Sequence, residues 1–150
     1  LVNILQGHNG GIYDLDIAHA EDCIYSVSSD KHIVLWNLSK MEHEYVVAKI
    51  PHLLYEICYI PEKNLMLAGT ALGGIHIIDL NSKKEIKLLK HHSSPIFEIK
   101  YSLQTNCFYA CSGTGELSVC SLDDLSLIKI KKLCNEKVRS IDFNYITHEM

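Results

Sequence analysis

Three carboxylates, Asp14, Glu56 and Glu98, stand 42 residues apart. Oxygen ligands of this kind suit a divalent cation such as calcium, provided that a fold brings them to one point. The residue before each is aromatic: Tyr13, Tyr55 and Phe97. One further step of 42 reaches Arg139 and Ser140. The chain also has nine histidines. The adjacent pair His91-His92 cannot chelate one ion simply, because neighbours on a strand point to opposite faces. Six cysteines, at 23, 58, 107, 111, 120 and 134, form no C-x-x-C pair, which removes a zinc knuckle and a thioredoxin-type motif. They sit among apolar residues and read as small core side chains in a reducing compartment. No serine or cysteine nucleophile can be assigned, so no catalytic residue and no cofactor is expected. The glycine-rich stretches "GTALGG" from Gly69 and "GTGEL" from Gly113 precede strands, so the helix dipole of a phosphate loop is missing.

The elements that must position these residues follow from composition and period. At 150 residues the chain is one domain's length, enough to bury about 70% of its unfolded surface. Apolar residues make up 47% and charged residues 21%, an ordinary globular balance. The net charge is −4, from 18 acids and 14 bases, and no block of lysine or arginine forms a nucleic-acid footprint. No apolar run approaches the ~18 residues needed to cross a bilayer, and no charged-then-apolar leader opens the sequence. No nucleic acid or membrane partner is expected, and a cytoplasmic location is.

Sliding the chain against itself by 42 residues superimposes many apolar columns without a gap. Leu35 meets Ile77 and Val119. Leu15 meets Ile57, Ile99 and Ile141. Ile17 meets Tyr59, Tyr101 and Phe143. Within the first unit, four short strands are expected near 11–18, 23–28, 32–37 and 43–49, separated by turn residues. The run Ile33 to Trp36 is apolar on both faces, as in a sheet sandwiched between neighbours. The turns "DKH", "LGG" and "TGE" lie before the third strands, where glycine supplies a positive φ. Four-stranded antiparallel units at this period predict an all-β chain, a β-propeller of about three and a half blades: units at 11–49, 53–91 and 95–133, with partial strands at 1–6 and 138–150. In such an arrangement Asp14, Glu56 and Glu98 could converge on the axis, and a metal-dependent propeller hydrolase is the alternative function.

The pair Gly7-His8 followed by "SSDKHIVLWN" at 28–37 resembles the WD-repeat family, in which a GH pair precedes the first strand and a WD pair ends the third. Asn37 stands in place of the final aspartate. The resemblance implies a buried tetrad that ties strands together, supplied here by His8, Ser26 or Ser28, Asp30 and Trp36. In the other units Asp30 becomes Leu72 and Thr114, and Trp36 becomes Ile78 and Cys120. Packing is expected to carry those blades. The family's rings commonly have seven blades, so the sequence reads as an arc of a longer propeller. The alternative is an open arc that associates with itself. The family implies a non-catalytic protein-protein interaction scaffold.

Propellers bind through their mouth, beside the GH loop. Ile12 and Leu15 are both apolar three residues apart, so strict alternation fails and a bulge is expected. It would turn residues toward the channel. A partner-binding rim is therefore expected from Tyr13, Asp14, Tyr55, Glu56, Phe97, Glu98 and Arg139, its acids favouring a basic peptide or loop. The lysines Lys87, Lys90, Lys129, Lys131 and Lys132 fall on fourth strands, where charge blocks edge-to-edge pairing.

Overall fold

The computed structural model describes residues 4–18 and 22–143. They form twelve strands: β1 (Ile12–Ala18), β2 (Cys23–Ser28), β3 (His32–Asn37), β4 (Glu42–Lys49), β5 (Leu54–Ile60), β6 (Leu65–Thr70), β7 (Ile75–Asp79), β8 (Lys84–Leu89), β9 (Ile96–Ser102), β10 (Cys107–Ser112), β11 (Glu116–Ser121) and β12 (Leu127–Lys132). A short 3-10 turn, Pro61–Lys63, follows β5. The strands pair antiparallel in sequence order to give three four-stranded sheets, β1–β4, β5–β8 and β9–β12. The repeat of 42 residues carries each sheet onto the next. These are propeller blades.

The blades are held by apolar residues on both faces. From the first, Tyr25, Val27, Ile33, Leu35 and Val47 pack against Leu54, Ile57, Tyr59, Met66 and Ile78 of the second. The second blade's opposite face, with Leu67, Ile75 and Ile77, packs against Ile96, Ile99, Phe108 and Cys120 of the third. All six residues of β6 are buried, whereas β1 and β12, at the two ends of the arc, are mostly exposed. Leu15 is 57% and Ile17 46% exposed.

The turns repeat as faithfully as the strands. Lys31, Gly73 and Gly115 have φ of 72°, 84° and 80°, and each donates its N–H to the carbonyl three residues before it. Glycine takes this conformation without strain, whereas Lys31 is held there by Asp30, whose Oδ1 accepts the His32 N–H at 3.0 Å. Asp22, Asn64 and Asn106 repeat a second positive-φ position, and Met41, Lys83 and Leu125 a third.

The expected partial strands differ. Residues 4–6 and 138–143 carry no strand, because among the described residues no neighbouring strand forms a ladder with them. Residues 1–3 and 144–150 lie outside the described residues. The stretch 138–143 nevertheless runs beside the third blade, with Phe143 edge-on to Tyr109 at 5.1 Å.

Gly69 marks a close approach of the second blade to the third. A Cβ there would stand 2.8 Å from Ile96 Cγ2 and 2.9 Å from Ile96 Cβ, whereas one at Gly11 would meet nothing within 4 Å. Gly69→Val is expected to lower stability by about 1–3 kcal/mol, read from the urea midpoint, while Gly11→Ala leaves it near the parent. An unchanged midpoint in Gly69→Val would mean that these blades do not bear on each other.

Candidate functional site

At the mouth end of each blade, where the first strand begins, the pairing register slips. Ile12 faces Ser28 but Asp14 faces Val27; Leu54 faces Thr70 but Glu56 faces Gly69; Ile96 faces Ser112 but Glu98 faces Cys111. Tyr13, Tyr55 and Phe97 are the extra residues, three bulges in register. Freed from the ladder, their rings meet one another across blades. Tyr13 is edge-on to Tyr55 at 4.9 Å, Tyr55 is tilted on Phe97 at 5.8 Å, and the Arg139 guanidinium lies 4.9 Å over the Phe97 ring. The result is an unbroken ladder of four side chains. Tyr13 is 51% exposed, Arg139 is exposed, and Tyr55 and Phe97 are half-buried.

The residue after each bulge turns sideways into the next blade. Asp14 accepts the Ile57 N–H at 2.9 Å, Glu56 the Ile99 N–H at 3.1 Å, and Glu98 the Ile141 N–H at 2.7 Å. Asp16 does the same for the Tyr59 N–H at 2.6 Å. Each of these four bonds spans 43 residues. Glu98 also lies 3.2 Å from the Lys100 amine. Burial, reinforced by Asp14 with which it shares a hydrogen bond, pushes the Glu56 carboxyl up to about 9. Glu56 is therefore protonated at neutral pH.

These bonds correct two expectations. The acids of the predicted rim, Asp14, Glu56 and Glu98, join blades instead of presenting an acidic ring. Nor do they gather as ligands: no group of three or more His, Cys, Asp or Glu among the described residues is placed to hold a metal. They line one side of an open groove of about 730 Å³ along the inner strands, with Ile17, Lys100 and Phe143.

The first blade carries a second polar constellation. His8 Nδ1 donates to Asp30 Oδ2 at 2.9 Å, the Ser26 hydroxyl donates to His8 Nε2 at 2.7 Å, and the Trp36 indole N–H donates to Ser26 at 2.7 Å. Ser28 stands outside this chain and accepts the Asp30 N–H at 3.1 Å. Burial alone would raise the Asp30 pKa, but the Asn9 N–H, His8 and the His32 N–H outweigh it and hold the carboxyl at about 2.

The third blade is not left to packing alone, contrary to the expectation. His92 Nε2 lies 2.9 Å from the Ser118 hydroxyl, and His92 Nδ1 is 3.3 Å from Glu116, which also accepts from Thr114 at 2.9 Å. Ser118 stands opposite Ala110, as Val34 stands opposite Ser26. The hydroxyl has crossed from the second strand to the third and still reaches the imidazole. In the second blade His76, opposite Ala68, occupies that position and pairs with Glu85 at 2.6 Å. Reading cross-strand pairs, instead of single columns, would have found the exchange.

A family profile described as WD40, "WD domain, G-beta repeat", matches residues 1–37, the stretch that holds His8, Ser26, Asp30 and Trp36. WD and tetratricopeptide repeats protein 1 of Homo sapiens is 22% identical over 147 residues, covering 91% of this chain and 21% of the relative. Its Mus musculus counterpart matches equally. The chain resembles the WD-repeat family in its first repeat and has the β-propeller fold throughout its described residues. It spans about a fifth of the length of those curated relatives. Among solved structures of the same fold, U3-55K superimposes with a TM-score of 0.82 at 15% identity, over 90% of this chain and 43% of that one. The WD40 repeats of RRP9 give 0.77 at 16% identity, over 85% of this chain and 40% of that chain. The computationally designed Ika4 gives 0.80 at 17%, over 94% of this chain and 84% of that one. WD-repeat proteins are generally protein-interaction scaffolds.

Asp30→Ala leaves His8 without its acceptor and is expected to cost about 1–3 kcal/mol by denaturant unfolding. Because the folded Asp30 pKa lies below the ordinary 3.8, its contribution is present above pH 3.8 and is lost as pH falls toward 2. The parent should thus lose stability across that window more steeply than Asp30→Asn. Glu56 has the opposite sign. Its raised pKa means that stability falls as pH climbs from 4.5 toward 9. Glu56→Gln keeps an oxygen for the Ile99 N–H, so it should match the parent near pH 4 and exceed it near the alkaline end. Equal pH profiles for parent and variant would show that Glu56 ionises freely.

Proposed function

We propose that this chain is a non-catalytic platform for protein partners, and that they dock at the mouth on the ladder of Tyr13, Tyr55, Phe97 and Arg139. The observation that carries this reading is the ladder itself. Three bulges in register release side chains that neither the strand pairing nor the blade cores claim, and aromatic and arginine side chains are the usual anchors of protein interfaces. Elsewhere the middle strands are consumed by blade packing.

A hydrolytic reading finds less support. His8, Ser26 and Asp30 have the connectivity of a nucleophile triad, but Ser26 is 0% exposed and already receives the Trp36 indole N–H. The carboxylates suggested as metal ligands each accept a backbone N–H. A cytoplasmic setting belongs to the same proposal, supported by the free thiols of Cys58, Cys107, Cys111, Cys120 and Cys134, three of them buried. A basic partner loses its main support, because the acids that would have attracted it are engaged between blades.

Combined alanine substitution of Tyr13, Tyr55 and Phe97 should remove the proteins recovered by quantitative pull-down, with circular dichroism unchanged. A control pair at the opposite end, Lys83→Glu with Lys84→Glu, should retain them. Equal recovery with both variants would place the docking surface elsewhere.

A further inference from the structure

The meandering strand order places every turn at one of two ends, and charge divides unevenly between them. The mouth receives the starts of first and third strands and the ends of second and fourth strands. Lys31, Lys49, Lys90, Lys132, Lys137 and Arg139 gather there, and all six are exposed. Of the six carboxylates at that end among the described residues, Glu56 is protonated and Glu98 is offset by Lys100, so the negative charges of Asp14, Asp30, Glu116 and Glu136 stand against the six cations. Asp30 serves His8, Glu116 serves His92, and Asp14 and Glu56 share a hydrogen bond. Among the described residues Glu136 is the exposed acid beside those cations. At the opposite end Asp22, Glu42, Glu62, Asp79, Asp123 and Asp124 outnumber the bases Lys40, Lys63, Lys83 and Lys84. A chain of net charge −4 therefore presents a basic mouth.

The aromatic ladder crosses this basic end. Tyr13 offers its exposed ring at one end of the ladder, and the apolar Leu72, 64% exposed, projects from the neighbouring turn. That turn is tied to the mouth through the Ala71 N–H to the Leu53 carbonyl, two residues before Tyr55. Arg139 closes the other end. A guanidinium that lies over a ring spends no N–H on a hydrogen bond to it and has donors left for a planar, bidentate acceptor such as a carboxylate.

Resting on the mouth as the docking surface, we infer that its partner is an acidic protein segment that also carries aromatic or apolar side chains. The apolar groups lie on Tyr13 and Leu72, and a carboxylate meets Arg139 within the field of the surrounding lysines. Nucleic acid is also acidic, but bases need open ring faces on which to stack. Here Tyr55 and Phe97 are half-buried against each other and the Phe97 face is covered by Arg139.

The test uses short fluorescent peptides of alternating glutamate and tyrosine, matched peptides of alternating lysine and tyrosine, and oligouridylate, each titrated into the chain and followed by anisotropy. The glutamate peptide should bind roughly tenfold more tightly than the lysine peptide, and the preference should shrink as salt is raised. Arg139→Glu should weaken the glutamate peptide by about tenfold, whereas Lys83→Glu with Lys84→Glu should change it by less than about twofold. Absence of glutamate-peptide binding, equal or tighter lysine-peptide binding, or indifference to Arg139→Glu overturns the inference. Tighter binding of oligouridylate overturns it in favour of nucleic acid. If the lysine peptide binds and alanine at Tyr13, Tyr55 and Phe97 releases it, the mouth remains the docking surface and only the sign is wrong. If none of the probes responds to those alanines, the mouth reading fails as well.

Discussion

The bulge at the start of each first strand sets two directions at once, and much of the molecule depends on that division. One extra residue breaks the alternation of the pleat, so Tyr13, Tyr55 and Phe97 leave the ladder while the following residue swings toward the adjacent blade. Without the slip, an acid and its preceding aromatic would simply point to opposite faces of one sheet. With it, the acid reaches a backbone N–H of the next inner strand and the aromatic reaches the next aromatic. Apolar packing between sheets is non-directional and tolerates sliding. Hydrogen bonds from carboxylate to amide, each spanning 43 residues, do not tolerate it. They fix how far one blade is displaced from the next, and they do so near the axis, where inner strands lie closest. The protonated state of Glu56 belongs to the same economy of space: two acids near one another inside a blade junction share a hydrogen bond more readily than they hold two charges.

The polar chains inside the blades solve a different problem. Each ties an incoming loop to the strands beneath it, and the third blade does so with residues that no column alignment would select. His92 occupies the position of His8, but its hydroxyl comes from Ser118 on the third strand and its carboxylate from Glu116 at the turn. A directly opposed pair in an antiparallel ladder keeps side chains about 5 Å apart, so a hydroxyl can move from one member to the other and still reach the same imidazole. The second blade departs further. Ile50 stands where the histidine would be and is buried as an apolar group, while His76 turns to Glu85. Polar connection is conserved in physical effect at the first and third blades and replaced by packing, with a separate ion pair, at the second.

Much of the fold was legible because the apolar columns recur at one offset, and period is insensitive to the loss of any single polar residue. The strand ends could be read from turn residues for the same reason; β2 and β3 occupy 23–28 and 32–37 as expected. Other features were hidden. Positive φ recurs at Lys31, Gly73 and Gly115, but only two of these are glycine, and Met41, Lys83 and Leu125 form such a column with no glycine in it. There the local hydrogen bonds and the strand pairing on either side hold the conformation, which residue type does not announce. The acids illustrate the harder limit. That Asp14, Glu56 and Glu98 stand near the axis follows from their period, but their direction depends on which way the bulge rotates the chain. A period of residue types contains no such angle.

The position of the ladder also explains why a degenerate propeller can retain a specific surface. Blade faces must be apolar to stack, so variation there is restricted to changes of similar shape. Fourth strands must discourage pairing with other chains, and exposed lysines on β12 meet that demand without reference to any partner. Turns must satisfy their backbone. The bulge residue is constrained by none of these: it has no partner across the strand pair, and its side chain lies outside the blade core. What it touches is its own counterpart in the next blade, so the ladder is a contact between equivalent positions and every member can change so long as its neighbour still packs. Replacement of the ring by arginine at position 139 shows that latitude, since the guanidinium lies over Phe97 in a cation–π contact where another unit would place a ring. A surface built from such positions can acquire a charge at one end and an aromatic at the other while the fold beneath it remains unaltered, and that is the physical condition for one architecture to serve different partners.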